Sequence, residues 1–306
     1  MTIRTPALRR ALRGALLVAA FALGGNALAA GVLDKARDTA RLNFGIRADT
    51  RPFAFVDGGK PAGFSVALCE HVAEAVKAEL KLPKLQIEWV PVTATNRFEM
   101  LQQGKIDLNC GTDTPTLERR TLVDFSIPIF LAGTGAVMRI DGDRRVRDVL
   151  ANRAEASGPI WRGNPGELGR QVTFAVVRGT TIEKALLDRL KARRVVVNVV
   201  EAADNAEGMQ MVIDGRAAAL IGQRAVLLDA ARRPPAAGQL QVIDRIFTRE
   251  VLALALPRGD DDWRLLVDRS LSRLYRSKEF AALFTTYFGA PDTVAVQFFQ
   301  SVALPD

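Results

Sequence analysis

Residues 85–110 read LQIEWVPVTATNRFEMLQQGKIDLNC. Leu85 to Val92 spells a strand, Asn96 to Gln103 a short helix stopped by Gly104, and Ile106 to Cys110 a second strand. Strands joined through helices of this length pair in parallel, so the unit predicts an α/β sheet. Outward from it, Leu42 to Ile46 reads as a strand, and Phe53 to Val56 as a short extended piece closed by the Asp57-Gly58-Gly59 turn. Phe64 to Leu80 carries Phe64, Leu68, Val72, Ala75 and Val76 at helical spacing, with Glu70, Glu74 and Lys77 between them. Downstream, Thr114-Pro115 has the pattern of a helix N-cap followed by a first-turn proline.

A second block repeats this βα logic. Gln171 to Val177, Val195 to Val200 and Ala217 to Ile221 read as strands, and Gly179-Thr180-Thr181 through Leu190, Ala206 to Ile213 and Ala225 to Ala231 as helices. Between the blocks, Asn152 to Arg170 is rich in glycine and proline and predicts an irregular insertion. After Thr248 come a strand at Val251 to Leu256, one long or two consecutive amphipathic helices from Trp263 to Phe288, and a tail whose Phe298-Phe299 pair requires packing onto the body.

The 306 residues suffice for two domains, and 48% hydrophobic content describes a well-packed globular chain. The first thirty residues differ from the rest: Arg4, Arg9, Arg10 and Arg13, an apolar stretch from Ala15 to Leu23, then Ala27-Leu28-Ala29. That is the layout of a secretory signal peptide cleaved after Ala29 or Ala30, with no cysteine beside the cleavage site to carry a lipid. Four of the positive charges lie in this segment and no acidic residue precedes Asp34, so the formal net charge of +8 becomes 8 − 4 = +4 in the mature chain. With Lys and Arg dispersed among Asp and Glu, no nucleic-acid partner is expected. In an exported chain Cys69 and Cys110 are open to two readings, one disulfide or two buried small hydrophobes. No spacing suggests a metal site or cofactor, and His71 is the only histidine.

Several stretches resemble a known family. Arg47, Arg51-Pro52-Phe53-Ala54-Phe55 and Gly63-Phe64-Ser65-Val66 are similar to the opening of amino-acid-type solute-binding proteins of ABC importers (family 3). Leu101 to Leu108, Leu117-Glu118-Arg119 through Val123-Asp124-Phe125-Ser126, Gly179-Thr180-Thr181 and Tyr287-Phe288-Gly289 extend the resemblance over nearly all of the mature chain. Lys81-Leu82-Pro83, Pro91 to Arg97 and Asn109-Cys110-Gly111-Thr112 look most like the glutamate/aspartate-binding subgroup. The resemblance implies a periplasmic, monomeric binder rather than an enzyme, which passes a small acidic ligand to a membrane permease. It implies an α/β fold of two lobes and two hinge strands, near Gly133 to Arg139 and Phe247 to Val251. Lobe 1 is expected at 31–136 plus 251–306, lobe 2 at 137–250, and the signal peptide at 1–30.

By the same resemblance Arg119 grips the ligand's α-carboxylate with Thr112, Thr114, Thr180 and Thr181, and Arg47 and Arg97 face a side-chain carboxylate. The chemistry agrees, because a guanidinium matches a carboxylate in charge and donates two parallel hydrogen bonds. Gly179-Thr180-Thr181 opens a helix, and a helix N-terminus is independently suited to an anion. Three arginines converging on one cleft are expected to need an anion among them. Two positions depart from the pattern: Gln223 stands where the family places an aspartate for the ligand's ammonium group, and Ala94 replaces a hydroxyl residue of the subgroup. Asp113 or Asp49 is the expected substitute for that charge. A di- or tricarboxylate without an amino group therefore stays open, as does an enzyme of dehydratase or lyase type on the same fold.

Overall fold

The computed structural model describes residues 31–153, 172–193 and 197–305. The expected signal peptide and most of the expected insertion lie outside the described residues. In chain order the elements are α1 (Val32–Thr39), β1 (Arg41–Ile46), β2 (Phe55–Asp57), β3 (Lys60–Ala62), α2 (Phe64–Leu80), β4 (Gln86–Pro91), α3 (Arg97–Gln102), β5 (Leu108–Asp113), a 3-10 turn (Arg119–Thr121), β6 (Asp124–Phe125), β7 (Phe130–Arg139) and α4 (Arg144–Ala151). They continue with β8 (Thr173–Val177), α5 (Thr181–Arg193), β9 (Asn198–Ala202), α6 (Asn205–Ile213), β10 (Ala219–Gln223), α7 (Arg224–Ala231), β11 (Leu240–Val242), β12 (Thr248–Leu256), α8 (Asp261–Arg276), α9 (Glu279–Phe288) and α10 (Thr293–Val302).

The main sheet runs β4-β1-β5-β12-β7-β10-β8-β9. The β4, β1 and β5 strands pair in parallel at one end, and β10, β8 and β9 at the other, as βα units require. Two long antiparallel strands join these ends. Thr248 to Leu252 of β12 face Thr134 to Phe130 of β7, while Ala253 and Ala255 pair with β5, and the far half of β7 pairs with β10. Each long strand thus starts in one lobe and ends in the other, which makes the pair the hinge of a two-lobed α/β fold. The two strands run over Phe130–Arg139 and Thr248–Leu256, and so overlap the expected segments Gly133 to Arg139 and Phe247 to Val251.

Apolar packing divides along the same line. In one lobe Phe44, Phe64, Leu68, Trp263, Leu271 and Phe284 belong to one buried cluster between the sheet and α2, α8 and α9, and the tail returns as α10 to bury Phe299 in it. In the other, Val137, Ala175, Val212 and Leu220 form a separate cluster. Val226 of α7 crosses the gap and packs into the first cluster. At the start of α2, Gly63 has φ +126°, and a Cβ there would stand 2.3 Å from the Phe53 carbonyl oxygen, so only glycine allows the β3 chain to enter this helix.

Four local expectations resolve differently or further. The Asp57-Gly58-Gly59 turn closes a β2–β3 hairpin with Gly58 and Gly59 both at positive φ. Trp263 to Phe288 forms two helices, broken near Ser277. No α-helix follows Thr114-Pro115: only the 3-10 turn forms, because the Thr114 hydroxyl is drawn to Glu250 instead of capping its own chain. Cys69 of α2 and Cys110 of β5 are joined as a disulfide, settling the alternative left open by the sequence.

Candidate ligand-binding site

The parallel strands of both lobes deliver their carboxyl ends to one crevice. The end of β1 brings Arg47, the end of β5 Thr112, and the loop after it Thr114 and Arg119; the first turn of α3 brings Arg97. From the other lobe come Thr180 and Thr181 at the start of α5, Asn205 at the start of α6 and Gln223 at the end of β10. All eight residues named from the sequence line a single cavity, together with Thr50, Val177, Ile182, Asn205, Ile221, Gly222 and Val226. Its volume is about 30 Å³, so the lobes stand closed against each other.

Several contacts cross that crevice. Arg119 Nη2 donates to the Gly179 carbonyl at 3.4 Å, and Thr181 Oγ1 to Thr114 Oγ1 at 3.4 Å. Asn205 donates its backbone N–H and its side-chain amide to Asp49 Oδ2, at 3.2 and 3.0 Å. At the rim Lys184 is paired with Glu118, two exposed side chains whose link is weak in water. Gly179 has φ +77°, and a Cβ added there would lie 3.0 Å from the Ala94 carbonyl oxygen of the opposite lobe. Glycine at this point serves both the turn into α5 and the approach of the lobes.

The three arginines are not equivalent. Arg47 is 5% exposed and pairs bidentately with Asp49, Nε to Oδ1 at 3.0 Å and Nη2 to Oδ2 at 2.7 Å. Arg97, 3% exposed, donates Nε to Asp113 Oδ1 at 2.5 Å, and Asn109 donates to the other Asp113 oxygen at 2.5 Å. The expectation that this cluster needs an external anion is therefore corrected for Arg47 and Arg97, because the chain supplies Asp49 and Asp113 as counterions. For the same reason neither aspartate is a free substitute for the charge missing at Gln223.

Arg119 alone of the three has no carboxylate partner among the described residues. Its Nη1 donates to the Thr114 carbonyl at 3.1 Å, and its guanidinium lies 5.2 Å from the ring centre of Phe98, whose ring also carries Arg97 at 4.2 Å. The shared aromatic ring lets the two cations approach. Burial, and then the nearby Arg97 charge, lower the Arg119 pKa to about 10. It stays charged at neutral pH, but at a cost that an anion would relieve.

The hydroxyls take up different roles. Thr180 Oγ1 donates to the Val177 carbonyl at 2.7 Å and accepts from the Glu183 N–H at 3.2 Å, so it caps α5 and its proton is committed. Thr114 Oγ1 donates to Glu250 Oε2 at 2.8 Å, and Thr181 Oγ1 reaches the same oxygen at 3.4 Å. Glu250, on hinge strand β12, escaped the sequence reading, although it lies inside the expected hinge; a lone carboxylate ahead of the apolar run Val251 to Leu256 was the available signal. Asn205 escaped it too, since a polar residue opening a helix reads as a cap. Among the described residues no group of three His, Cys, Asp or Glu side chains is placed to hold a metal ion.

Residues 42–290 match the model of the bacterial extracellular solute-binding proteins, family 3. The chain belongs to this family. The L-glutamate/L-aspartate-binding protein of Pseudomonas aeruginosa is 28% identical over 263 residues, 85% of this chain and 81% of that protein. A glutamate/aspartate import solute-binding protein of Salmonella typhimurium is 27% identical, covering 92% and 89% of the two chains. Among solved structures, an ancestral amino acid-binding protein, a precursor of cyclohexadienyl dehydratase, is 26% identical with a TM-score of 0.68, over 85% of this chain and all of that one. No helix among the described residues is long and apolar enough to cross a membrane.

Proposed function

We propose that the chain is an exported solute-binding protein that closes its lobes on an acidic amino acid or related carboxylate and presents it to an ABC-type permease. Residues 1–30 act as the cleaved signal peptide, 31–136 with 251–306 form lobe 1, 137–250 form lobe 2, and the mature protein works in the periplasm as a monomer. The observation that carries the reading is Arg119: a half-buried guanidinium without a carboxylate partner among the described residues, beside the opening of α5, in a cavity walled by both lobes. The ligand's α-carboxylate binds there, favoured by the positive end of the helix.

An acidic side chain turns toward Arg47 and Arg97. Their aspartates engage Nε and Nη2 of Arg47 and only Nε of Arg97, so several of the ten N–H donors on the two guanidiniums stay available. The names of the relatives support the same ligand class. Because the Arg119 guanidinium and the helix end come from different lobes, the ligand binds the closed state more tightly than the open one and draws the equilibrium toward it.

A melting panel with L-glutamate, L-aspartate, L-glutamine, succinate, citrate and neutral amino acids tests this. At about 100 times the dissociation constant a ligand adds about 2.7 kcal/mol of stability. Shifts confined to neutral or basic amino acids would overturn the acidic ligand, and conversion of a stabilising ligand to product would favour an enzyme instead.

A further inference from the structure

An amino acid buried in this cavity brings a positive ammonium group as well as a carboxylate, and a buried cation needs a partner. Among the described residues, three carboxylates are hydrogen-bonded to side chains that line the cavity. Asp49 has both oxygens engaged by Arg47, with Asn205 as well on Oδ2, and Asp113 has one oxygen on Arg97 and the other on Asn109. Glu250 differs: neither of its oxygens is in an ion pair among the described residues. Its Oε2 accepts from Thr114 and Thr181, one hydroxyl from each lobe and both lining the cavity, while its Oε1 is buried without a hydrogen-bond partner.

A threonine hydroxyl has one proton and two lone pairs. With the Thr114 hydroxyl donating to Glu250 and the single Thr181 proton shared between Glu250 and Thr114, what the two hydroxyls offer a ligand is lone pairs. Gln223, also in the cavity wall, leaves its Oε1 buried without a partner as well. Gln223 Oε1 and the two hydroxyls on the wall, with Glu250 Oε1 behind the hydroxyls, thus supply acceptor lone pairs that no donor of the described residues satisfies. A carboxylic acid without an amino group, ionised at neutral pH, brings only more acceptors there.

We propose that Glu250 receives the protonated amino group of the ligand, with the lone pairs of Thr114 and Thr181 beside it, and that this hinge carboxylate makes the site select amino acids over carboxylic acids lacking an amino group. The assignment rests on the proposed function and chooses between its two branches. It also completes the charge pattern: Arg47 with Asp49, Arg97 with Asp113, Arg119 with the ligand's carboxylate and Glu250 with its ammonium. Glu250 stands opposite Ala132 in the hinge register, so the ammonium would be held at the pivot of closure.

The test is calorimetric titration of wild type and Glu250→Gln with two matched pairs, L-glutamate with glutarate and L-aspartate with succinate. Wild type is expected to bind an amino acid at least 100-fold more tightly than its amino-free partner. The variant, whose amide keeps the size and an acceptor but not the charge, should lose roughly 10- to 100-fold toward the amino acid and nothing toward the diacid, a split that a general folding defect would not produce. Equal affinity of the variant and wild type for the amino acid, or glutarate binding wild type as tightly as glutamate, overturns the role of Glu250 and leaves the proposed function standing. If none of the four compounds binds wild type, the acidic-ligand reading falls and this assignment with it.

Discussion

Arg119 and Gly179 meet across the crevice between the lobes, the guanidinium donating to the carbonyl at 3.4 Å. The contact links an arginine that has no ion pair among the described residues to the turn that opens α5, so whatever neutralises Arg119 also bears on closure. Arg119→Ala is expected to lower ligand affinity at least about 30-fold, since removing one partner of a desolvated charge pair costs about 2–5 kcal/mol. Because burial already lowers the Arg119 pKa to about 10, its loss should leave the ligand-free melting temperature unchanged or slightly raised. Titration calorimetry and a melt without ligand check both halves; unchanged affinity removes Arg119 from the site.

Arg97 and Asp113 behave in the opposite way, because their pair is internal. Their side chains are only 3% and 2% exposed, and Asp113→Ala would leave a buried guanidinium without a counterion. Denaturant unfolding should show a loss of about 3–5 kcal/mol. A loss below about 1 kcal/mol would mean that water or another group reaches Arg97 when the aspartate is gone.

The disulfide between Cys69 and Cys110 ties α2 to β5 across 41 residues of chain. A loop of that length gives about 4 kcal/mol in the chain-entropy model, with measured values for disulfides of about 2–4 kcal/mol. Reduction, or Cys69→Ala with Cys110→Ala, should lower unfolding stability within that range. Both positions are fully buried, so alanine also leaves space behind and the double variant should fall at the upper end.

Much of this fold was legible because its elements are set by local patterns: apolar spacing in α2, the Gly104 stop after α3, β-branched runs in the strands. All eight residues named for the site reach one cavity because the ends of parallel strands converge, a consequence of topology that a sequence motif can carry. What the sequence did not carry was which charges cancel. Arg47 and Asp49 are two residues apart, Arg97 and Asp113 sixteen, Glu250 and Thr114 one hundred and thirty-six, and the choice among these pairings depends on rotamers and burial that appear only once the lobes are assembled. Thr114 is the clearest case. Its cap-like sequence lost to a carboxylate arriving from the hinge.

Asp268 gives a dependence on pH that is separate from ligand binding. Burial on the inner side of α8, the helix that carries it, raises its pKa to about 6, only partly offset by the hydrogen bond that its Oδ1 accepts from the Ile127 N–H at 2.7 Å. The unfolded carboxyl titrates near 3.9, so between about pH 4 and pH 6 the folded chain keeps a proton that the unfolded chain releases. The contribution of Asp268 to stability is therefore fully present below about pH 4 and is lost as pH rises through 6, by up to about 3 kcal/mol. Asp268→Asn retains an acceptor for Ile127 and carries no charge. It should unfold at higher urea than wild type at pH 7, with the difference shrinking toward pH 4; a gap that stays constant across that range would assign the effect to packing.

Gly179→Ala tests closure apart from charge. The glycine sits at φ +77°, and its added Cβ would be 3.0 Å from both the Ala94 carbonyl oxygen and Thr95 Cγ2 of the facing lobe. A contact of that length forces the facing backbone to give way, and αL geometry costs a non-glycine residue about 1–2 kcal/mol wherever the lobes stand. The backbone strain is present in open and closed forms alike and lowers the melting temperature of the unliganded protein. The clash exists only when the lobes meet, so it is paid against the ligand and should appear as weaker binding, on the order of tenfold, beyond the change in stability. Comparing scattering profiles with and without ligand separates the two effects: the variant should need more ligand to reach the compact form, whereas a purely local strain would leave the ligand dependence of compaction where wild type has it.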